Sequence, residues 1–578
     1  MQTNTELRKG EPNGAAAAAF LKEPRGGYGE ELRVILDSQA GNPLGQESSA
    51  TSKSRAAVST DYYGAFSVEK FAAASSLTYT HDDAKGWLDY VQQFQAANFW
   101  YQDAGVAPWA YYEQYDNWDD TYGMDAVMAV YHSGHGSMDS NGVFYAAMGS
   151  DWGGLGTNAK SSSMALGNEQ VRYIFWSTCY SLRVLGSHNP IRTWNKANLG
   201  FRMLFGYETT SIDAPNYGRD FWKQWNKGKS LSQAHLDMSW YDVSTHQAPS
   251  VVACGASPAE AQDRLYNERY LSWATVSRDY WHWRWYYAAG TALAARARNR
   301  KLPQRIVTAK LGIEPVNGKL VRALLDRIPV EVALQPEVAA NPAGIIVLGE
   351  GNKRMAVERN STFDAQLRAP NLDSTNELQL SASIYKAQEV VRQFGLDRND
   401  ITFDRVLYKY DCAGTSKGSG EIGRPRIVET VVQFTQLIEG IPVIGPGEGK
   451  VSITLDNDEN VTAVQDTTRR IDKLMEANSA PALPTETGQR ASGSAPLEPA
   501  RVEKIDPEAL LSAAWQEKMK TWVLSDTMPQ RFAVVPDSYE IGYVIRGNNA
   551  ILVAREEIEA DCGGGFTKRF VVETPLHH

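Results

Sequence analysis

Between about residues 58 and 300, short unbroken apolar runs alternate with stretches of helical period. The runs at 126–131 (AVMAVY), 142–149 (GVFYAAMG), 171–178 (VRYIFWST) and 201–209 (FRMLFGYET) are too short for typical helices and apolar on both faces, so they predict buried strands. Between and around them lie helical patterns at 84–97 (AKGWLDYVQQFQAA), 219–228 (RDFWKQWNKG) and 230–240 (SLSQAHLDMSW). Strands alternating with helices predict an α/β layer with a mainly parallel sheet over 58–300. A long helical segment, 258–300, closes the unit, with the aromatics of DYWHWRWYYAAG as packed core. Residues 1–57 carry no sustained period and read as a flexible arm, in which only ELRVILDS offers a strand.

After residue 301 the pattern becomes α+β. Short β-like segments (IVTAKLG, PVEVALQ, AGIIVLG) precede a helix over 374–395 that Gly395 ends, and strands follow in FDRVLYKY, RIVETVVQFTQLI and KVSITLD. Residues 476–506 read as a linker, with Pro481, Pro484, Pro496 and Pro499 among Ser, Ala and Gly. Residues 507–578 predict one helix and then a hairpin in which YEIGYVIRG meets AILVAREEIEA across Gly547-Asn548-Asn549.

Composition narrows the function classes. A length of 578 residues implies several domains. The net charge of −10 argues against broad binding to a phosphate backbone, so no nucleic-acid partner is expected. No run of about 18 apolar residues occurs, so no membrane span is expected. The start of the chain lacks the apolar core of a secretory signal, which points to the cytoplasm and leaves secretion open for a trimmed chain. All the tryptophans except Trp515 and Trp522 lie at or before Trp285, which puts the large aromatic core in the N-terminal half. The four cysteines form no CxxC pair and are too sparse for a disulfide scaffold. Cys412 and Cys562 sit in Gly-rich surroundings and form the one candidate pair.

The sharpest chemical feature is Tyr131-His132-Ser133-Gly134-His135-Gly136, directly after a predicted buried strand. Ser177-Thr178-Cys179-Tyr180-Ser181 follows the next such strand, with His135 and Cys179 44 residues apart. Sites in open α/β sheets form at the C-terminal ends of the strands, so two strands ending in His-Gly and in Cys can set imidazole beside thiol. A free thiol is mostly protonated at neutral pH, and a neighbouring imidazole can take its proton. Gly136 permits a tight turn, and its N–H with that of Cys179 can face a developing oxyanion. A metal reading of His132, His135 and Asp139 lacks a helical HExxH frame or a second ligand cluster.

These two strand ends resemble the caspase-like cysteine peptidase clan, which includes caspases, metacaspases, legumains, gingipains, separases and CHAT peptidases. The resemblance extends over about residues 60–260, through SLTYTHDDAKGW, GNEQVRYIFWSTC, FRMLFGYETTSID and DFWKQWNKGKSLSQAHLDM, and is nearest to a bacterial branch of the clan. It implies a caspase-like sandwich, His135 as base, Cys179 as nucleophile, and Gly136 and Cys179 as oxyanion donors. Ser177-Thr178 before the cysteine and Tyr180 after it depart from the commoner pattern, a difference that bears on P1 specificity. The clan's S1 pocket lies beside the dyad and the loop after the following strand. This nominates Asp213 and Asp151 as substrate-binding carboxylates that would favour Arg or Lys.

In the C-terminal half, VVQFTQLIEGIPVIGPGEGKVSITLDNDENVTAV (431–464) resembles the hairpin of fungalysin/thermolysin propeptides and of the related PepSY domain. The combined expectation is a cysteine endopeptidase without cofactor, acting on polypeptide and restrained by its own C-terminal region. A peptide ligase using the same dyad, and a catalytically silent peptide-binding scaffold, are the alternatives.

Overall fold

The structure is a computed structural model that describes residues 33–37, 40–45, 61–113, 118–290, 295–332, 337–418, 420–476, 505–524 and 528–577. Residues 477–504 of the linker expected at 476–506, and most of the arm at 1–57, lie outside the described residues.

Of the apolar runs of the first half, that at 142–149 lies outside the parallel sheet, and those at 126–131, 171–178 and 201–209 become β4 (Ala129–Ser133), β8 (Tyr173–Ser177) and β9 (Met203–Tyr207), which β2 (Tyr63–Ser67) and β3 (Phe99–Gln102) join. All pair in parallel, in the spatial order β3-β2-β4-β8-β9. Each strand feeds both faces of the sheet. In β8, Tyr173 and Phe175 enter one core with Trp87, Phe205 and Trp222, while Ile174 and Trp176 enter the other with Phe66, Val130 and Trp283. Helices α1 (Thr80–Val91), α2 (Tyr217–Trp225) and α3 (Leu231–Asp237) line the first of these faces. A small antiparallel sheet of β5 (Gly136–Met138), β6 (Phe144–Ala147) and β7 (Asn158–Lys160) follows β4.

The segment expected as one helix over 258–300 is instead α4 (Pro258–Asn267) followed by β11 (Tyr280–Ala288). Its aromatics alternate with period two. Trp281, Trp283 and Trp285 enter one core and Tyr286 the opposite one, which suits a strand buried on both faces. β11 lies antiparallel between β10 (Pro249–Gly255) and β17 (Ile401–Thr415), and β10 in turn pairs with β9. The sheet therefore continues across the boundary expected at 300/301.

Beyond β17 it runs antiparallel through β18 (Arg426–Ile438), β20 (Lys450–Asp456), β21 (Val461–Asp466), β16 (Phe363–Gln366), β15 (Lys353–Val357), β14 (Ile346–Glu350) and β13 (Glu337–Ala340). It ends on β1 (Arg33–Leu36), the docked part of the N-terminal arm, parallel to β13. β19 (Ile441–Pro442) folds back on β18. Helix α5 (Gly318–Arg327), not expected from the sequence, is amphipathic and capped by Asn317, whose side chain accepts from Leu320 N–H at 2.9 Å. Helix α6 (Leu380–Gln393) packs on β18 and β20 through Ala387, Val390 and Val391, and Gly395 ends it with φ +57°.

A second sheet is built on β25 (Asn549–Asp561), with β12 (Val307–Leu311), β22 (Ile471–Glu476), β23 (Arg531–Val534), β24 (Glu540–Arg546) and β26 (Thr567–Pro575). Helix α7 (Pro507–Leu524) packs against β25 and β26. The architecture is thus a mixed α/β fold in which parallel and antiparallel strands share one large sheet. Cys412 lies within β17 opposite Trp283, and Cys562 follows β25. Both are buried free thiols, so the candidate disulfide is not formed.

Candidate active site

Register brings the two chemical segments together. Ser67, Ser133 and Ser177 end β2, β4 and β8 and sit side by side across the sheet. His135 and Cys179 each lie two residues beyond this row, at the C-terminal edge of adjacent parallel strands, where α/β sheets place their sites. Gly134 N–H donates to Ser177 O at 3.4 Å and ties the histidine loop to the cysteine strand.

The row of serines is held by α1. Asp83 Oδ2 accepts from Ser133 Oγ and from Ser177 Oγ, each at 2.7 Å, and Oδ1 accepts from Tyr131 Oη and Gly218 N–H, each at 2.8 Å. Burial raises the pKa of this carboxyl even against four donors. His81, also on α1, meets Ser67 Oγ through Nδ1 at 2.8 Å and lies 3.4 Å from Asp103 through Nε2. Two residues in one helical turn therefore clamp the ends of three strands. His132 braces β4 from behind, with Nδ1 2.7 Å from Tyr111 Oη and its ring on Trp176.

His135 is fully buried. Its Nε2–H donates to the Ser75 carbonyl at 2.9 Å, while Nδ1 is buried without a hydrogen-bond partner among the described residues. A carbonyl can only accept, so this bond sets the tautomer and leaves the Nδ1 lone pair free in the neutral ring. Burial, reinforced by the charge of Lys568 and opposed by the Ser75 carbonyl, pushes the imidazole down to about 3. Cys179 is also fully buried. Its sulfur accepts from Ser211 N–H at 3.2 Å and lies 3.5 Å from Ser211 Oγ. The next residue, Tyr180, holds φ +55°, a left-handed conformation costly for a bulky side chain that turns the chain sharply away from the sulfur.

Gly136 does not serve as a left-handed turn; it opens β5 opposite Ala146. Its need is space, since a Cβ there would lie 2.4 Å from the Cys179 carbonyl oxygen and 2.8 Å from Thr178 Oγ1. His135, Gly136 and Cys179 thus converge. Asp213 lies beside them, two residues beyond Ser211, with Oδ2 accepting from Thr78 N–H at 3.1 Å. Asp151 is exposed and closes its own loop by accepting from Gly156 N–H. Asp139 likewise closes the β5–β6 turn, accepting from Asn141 and Val143 N–H. Among the described residues, no group of three or more His, Cys, Asp or Glu side chains could hold a metal ion.

The tip of the β25–β26 hairpin closes the site from above. Phe566 packs 5.8 Å from the His135 ring, whose other neighbour is Phe71 at 4.5 Å. Cys562 O accepts from Ser75 N–H at 2.8 Å, and Trp522 of α7 donates to Ser76 O at 3.1 Å. Sequence reading did not find Asp83, Ser75, Ser211, Lys568 or Phe566. The one local signal was the run Gly563-Gly564-Gly565 before Phe566, which marks a special turn without saying what it reaches.

The chain has no match among curated proteins. Residues 65–289 match the model of a family described as a domain of unknown function, DUF6345, a span that runs from β2 through β11 and contains the whole candidate site except its C-terminal cover.

Proposed function

We propose that the protein is a cysteine endopeptidase with Cys179 as nucleophile and His135 as base. The observation that carries this reading is the in-register parallel pair β4–β8, whose ends bring a neutral imidazole with one free nitrogen and a thiol to one edge of the sheet. The Cys179 proton passes to His135 Nδ1 as the sulfur bonds to the peptide carbonyl carbon. The Nδ1 proton then goes to the leaving amine as the C–N bond breaks. Water attacks the thioester, His135 takes its proton and returns it to the sulfur, and the acid departs. Gly136 and Cys179 N–H groups hold the oxyanion, each such donor being worth about 3–4 kcal/mol. No step is assigned to a metal or cofactor.

The C-terminal half acts in this reading as a propeptide-like restraint. The packing of α6 on an antiparallel meander and the reach of the β25–β26 tip to His135 support it. The test is a peptide library with varied P1 residue, read by mass spectrometry. Cleavage that is lost in both Cys179→Ala and His135→Ala, with the fold retained, is the expected result. Joined rather than cleaved peptides would assign a ligase, and no turnover under any condition would assign a scaffold.

A further inference from the structure

Lys568 is 3% exposed, and among the described residues no carboxylate forms an ion pair with it. Its Nζ donates to Ser211 Oγ at 3.0 Å, and that oxygen lies 3.5 Å from the Cys179 sulfur. An ammonium has three donors, so one hydroxyl is a sparse partner for a buried charge. The adjoining main chain is strand-paired. Asp213 N–H donates to Arg569 O at 2.8 Å and Arg569 N–H to Ser211 O at 3.3 Å, forming a single parallel bridge between Ile212 and Arg569. This short segment makes the contacts by which an added strand is recognised: main-chain bonds for the backbone and a pocket for one side chain.

We propose that the hairpin tip, Cys562 to Arg569, occupies the cleft meant for a substrate strand, and that the cleft takes an extended polypeptide with a lysine or arginine side chain beside Cys179. The inference rests on the peptidase reading and names the substrate class and the internal occupant of that same site. The chemistry is consistent throughout. A basic side chain in the Lys568 position donates a hydrogen bond to Ser211 Oγ, so the Ser211 O–H can turn to donate a hydrogen bond to sulfur and favour the thiolate. Asp213 lies in the same strip and adds negative charge. The tip is also suited to leave. Gly563, Gly564 and Gly565 hold φ of +82°, +63° and +85°, so ordering them costs more backbone entropy than ordering any other residues, and the main chain is held by the Ile212–Arg569 bridge and by the Ser75 N–H bond to Cys562 O at its two ends.

The experiment uses the full chain. Native alkylation by iodoacetamide, mapped by mass spectrometry, should be slow at Cys179 and at least tenfold faster in Phe566→Ala, with buried Cys254 unlabelled in both. Equal Cys179 rates would overturn the proposal. In Phe566→Ala, tripeptidyl acyloxymethyl ketones ending in Lys or Arg should label Cys179 at least tenfold faster than those ending in norleucine or Glu; equal rates would overturn the basic pocket. A second measurement needs no variant. Once the lysyl probe is attached to Cys179 of the wild-type protein, hydrogen exchange over 562–569 should rise several-fold while 553–560 stays protected. An unchanged tip with Cys179 modified would overturn the occupant. Labelling and release of the tip without peptide cleavage would instead overturn the peptidase reading and leave the cleft standing.

Discussion

Asp83 accepts four hydrogen bonds at full burial, and two of them come from the serines that precede the proposed dyad. Removing an acceptor from buried donors costs about 1–3 kcal/mol for each group left unpaired, although relaxation recovers part of it. Asp83→Ala should therefore destabilise the protein by about 3–5 kcal/mol in urea unfolding. Asp83→Asn should cost less, because the serine hydroxyls can rotate to accept from the new amide. The histidines make a second prediction at this scale. Burial pushes His132 and His135 down to about 3 and His235 to about 4, from the usual value near 6.5. A depressed folded pKa gives stability that is full above about pH 6.5 and lost as pH falls toward the folded value. The urea midpoint should thus drop steadily from pH 6.5 to 4. His235→Gln should flatten that slope, and a pH-independent midpoint would remove these histidines from the acid response.

At the scale of elements, the contact between β5 and the end of β8 is the tightest at the site. Gly136→Ala would push a methyl against the Cys179 carbonyl oxygen and Thr178 Oγ1, where backbone cannot yield cheaply. The expected cost is about 1–3 kcal/mol, with Cys179 alkylation altered as the two loops separate. Unchanged stability would show that β5 shifts freely. Of the four apolar runs in the first half, three formed the parallel strands β4, β8 and β9, whose two faces are buried, and continuous hydrophobicity is the signature of that environment; the run at 142–149 formed β6 of the small antiparallel sheet instead. β11 reads as helix although His282 and Arg284 alternate with Trp281, Trp283 and Trp285, because the segment directly follows a helical pattern and, being buried on both faces, carries a similar apolar signal as strand or as helix. Only its alternation distinguished the two.

At the scale of the molecule, β11 joins the halves by pairing with β10 on one side and β17 on the other. Trp283 and Trp285, buried in the core on the face of the sheet opposite α1–α3, lie opposite Cys412 and Tyr410 of the second half. The hairpin tip adds a second junction through the cluster of Leu77, Trp522, Phe566 and Phe570. Shared strands couple the stabilities of what they join, so 61–476 should unfold in one calorimetric transition rather than two. Trp283→Ala should lower that single transition by about 3–5 kcal/mol. Two resolved transitions, with only the first shifted, would show independent halves.

The sequence alone determined what depends on local order. Apolar runs specified β4, β8, β9 and β18, Gly395 specified the end of α6, and two strand ends displayed a histidine and a cysteine. Each of these follows from the period of burial or from the conformational freedom of one residue. What surrounds His135 and Cys179 was decided only by the tertiary structure. Asp83 reaches Ser133 and Ser177 from 50 and 94 residues away in sequence, and Lys568 reaches Ser211 from 357. Such pairings depend on which sheet edges meet, and an acidic residue in the first turn of a helix, or a lysine in a hairpin, has the same local signature wherever it ends up. The contact of the β25–β26 tip was illegible for the same reason: its sequence records a glycine-rich turn, and only the packing of the second sheet on the first sets that turn over His135.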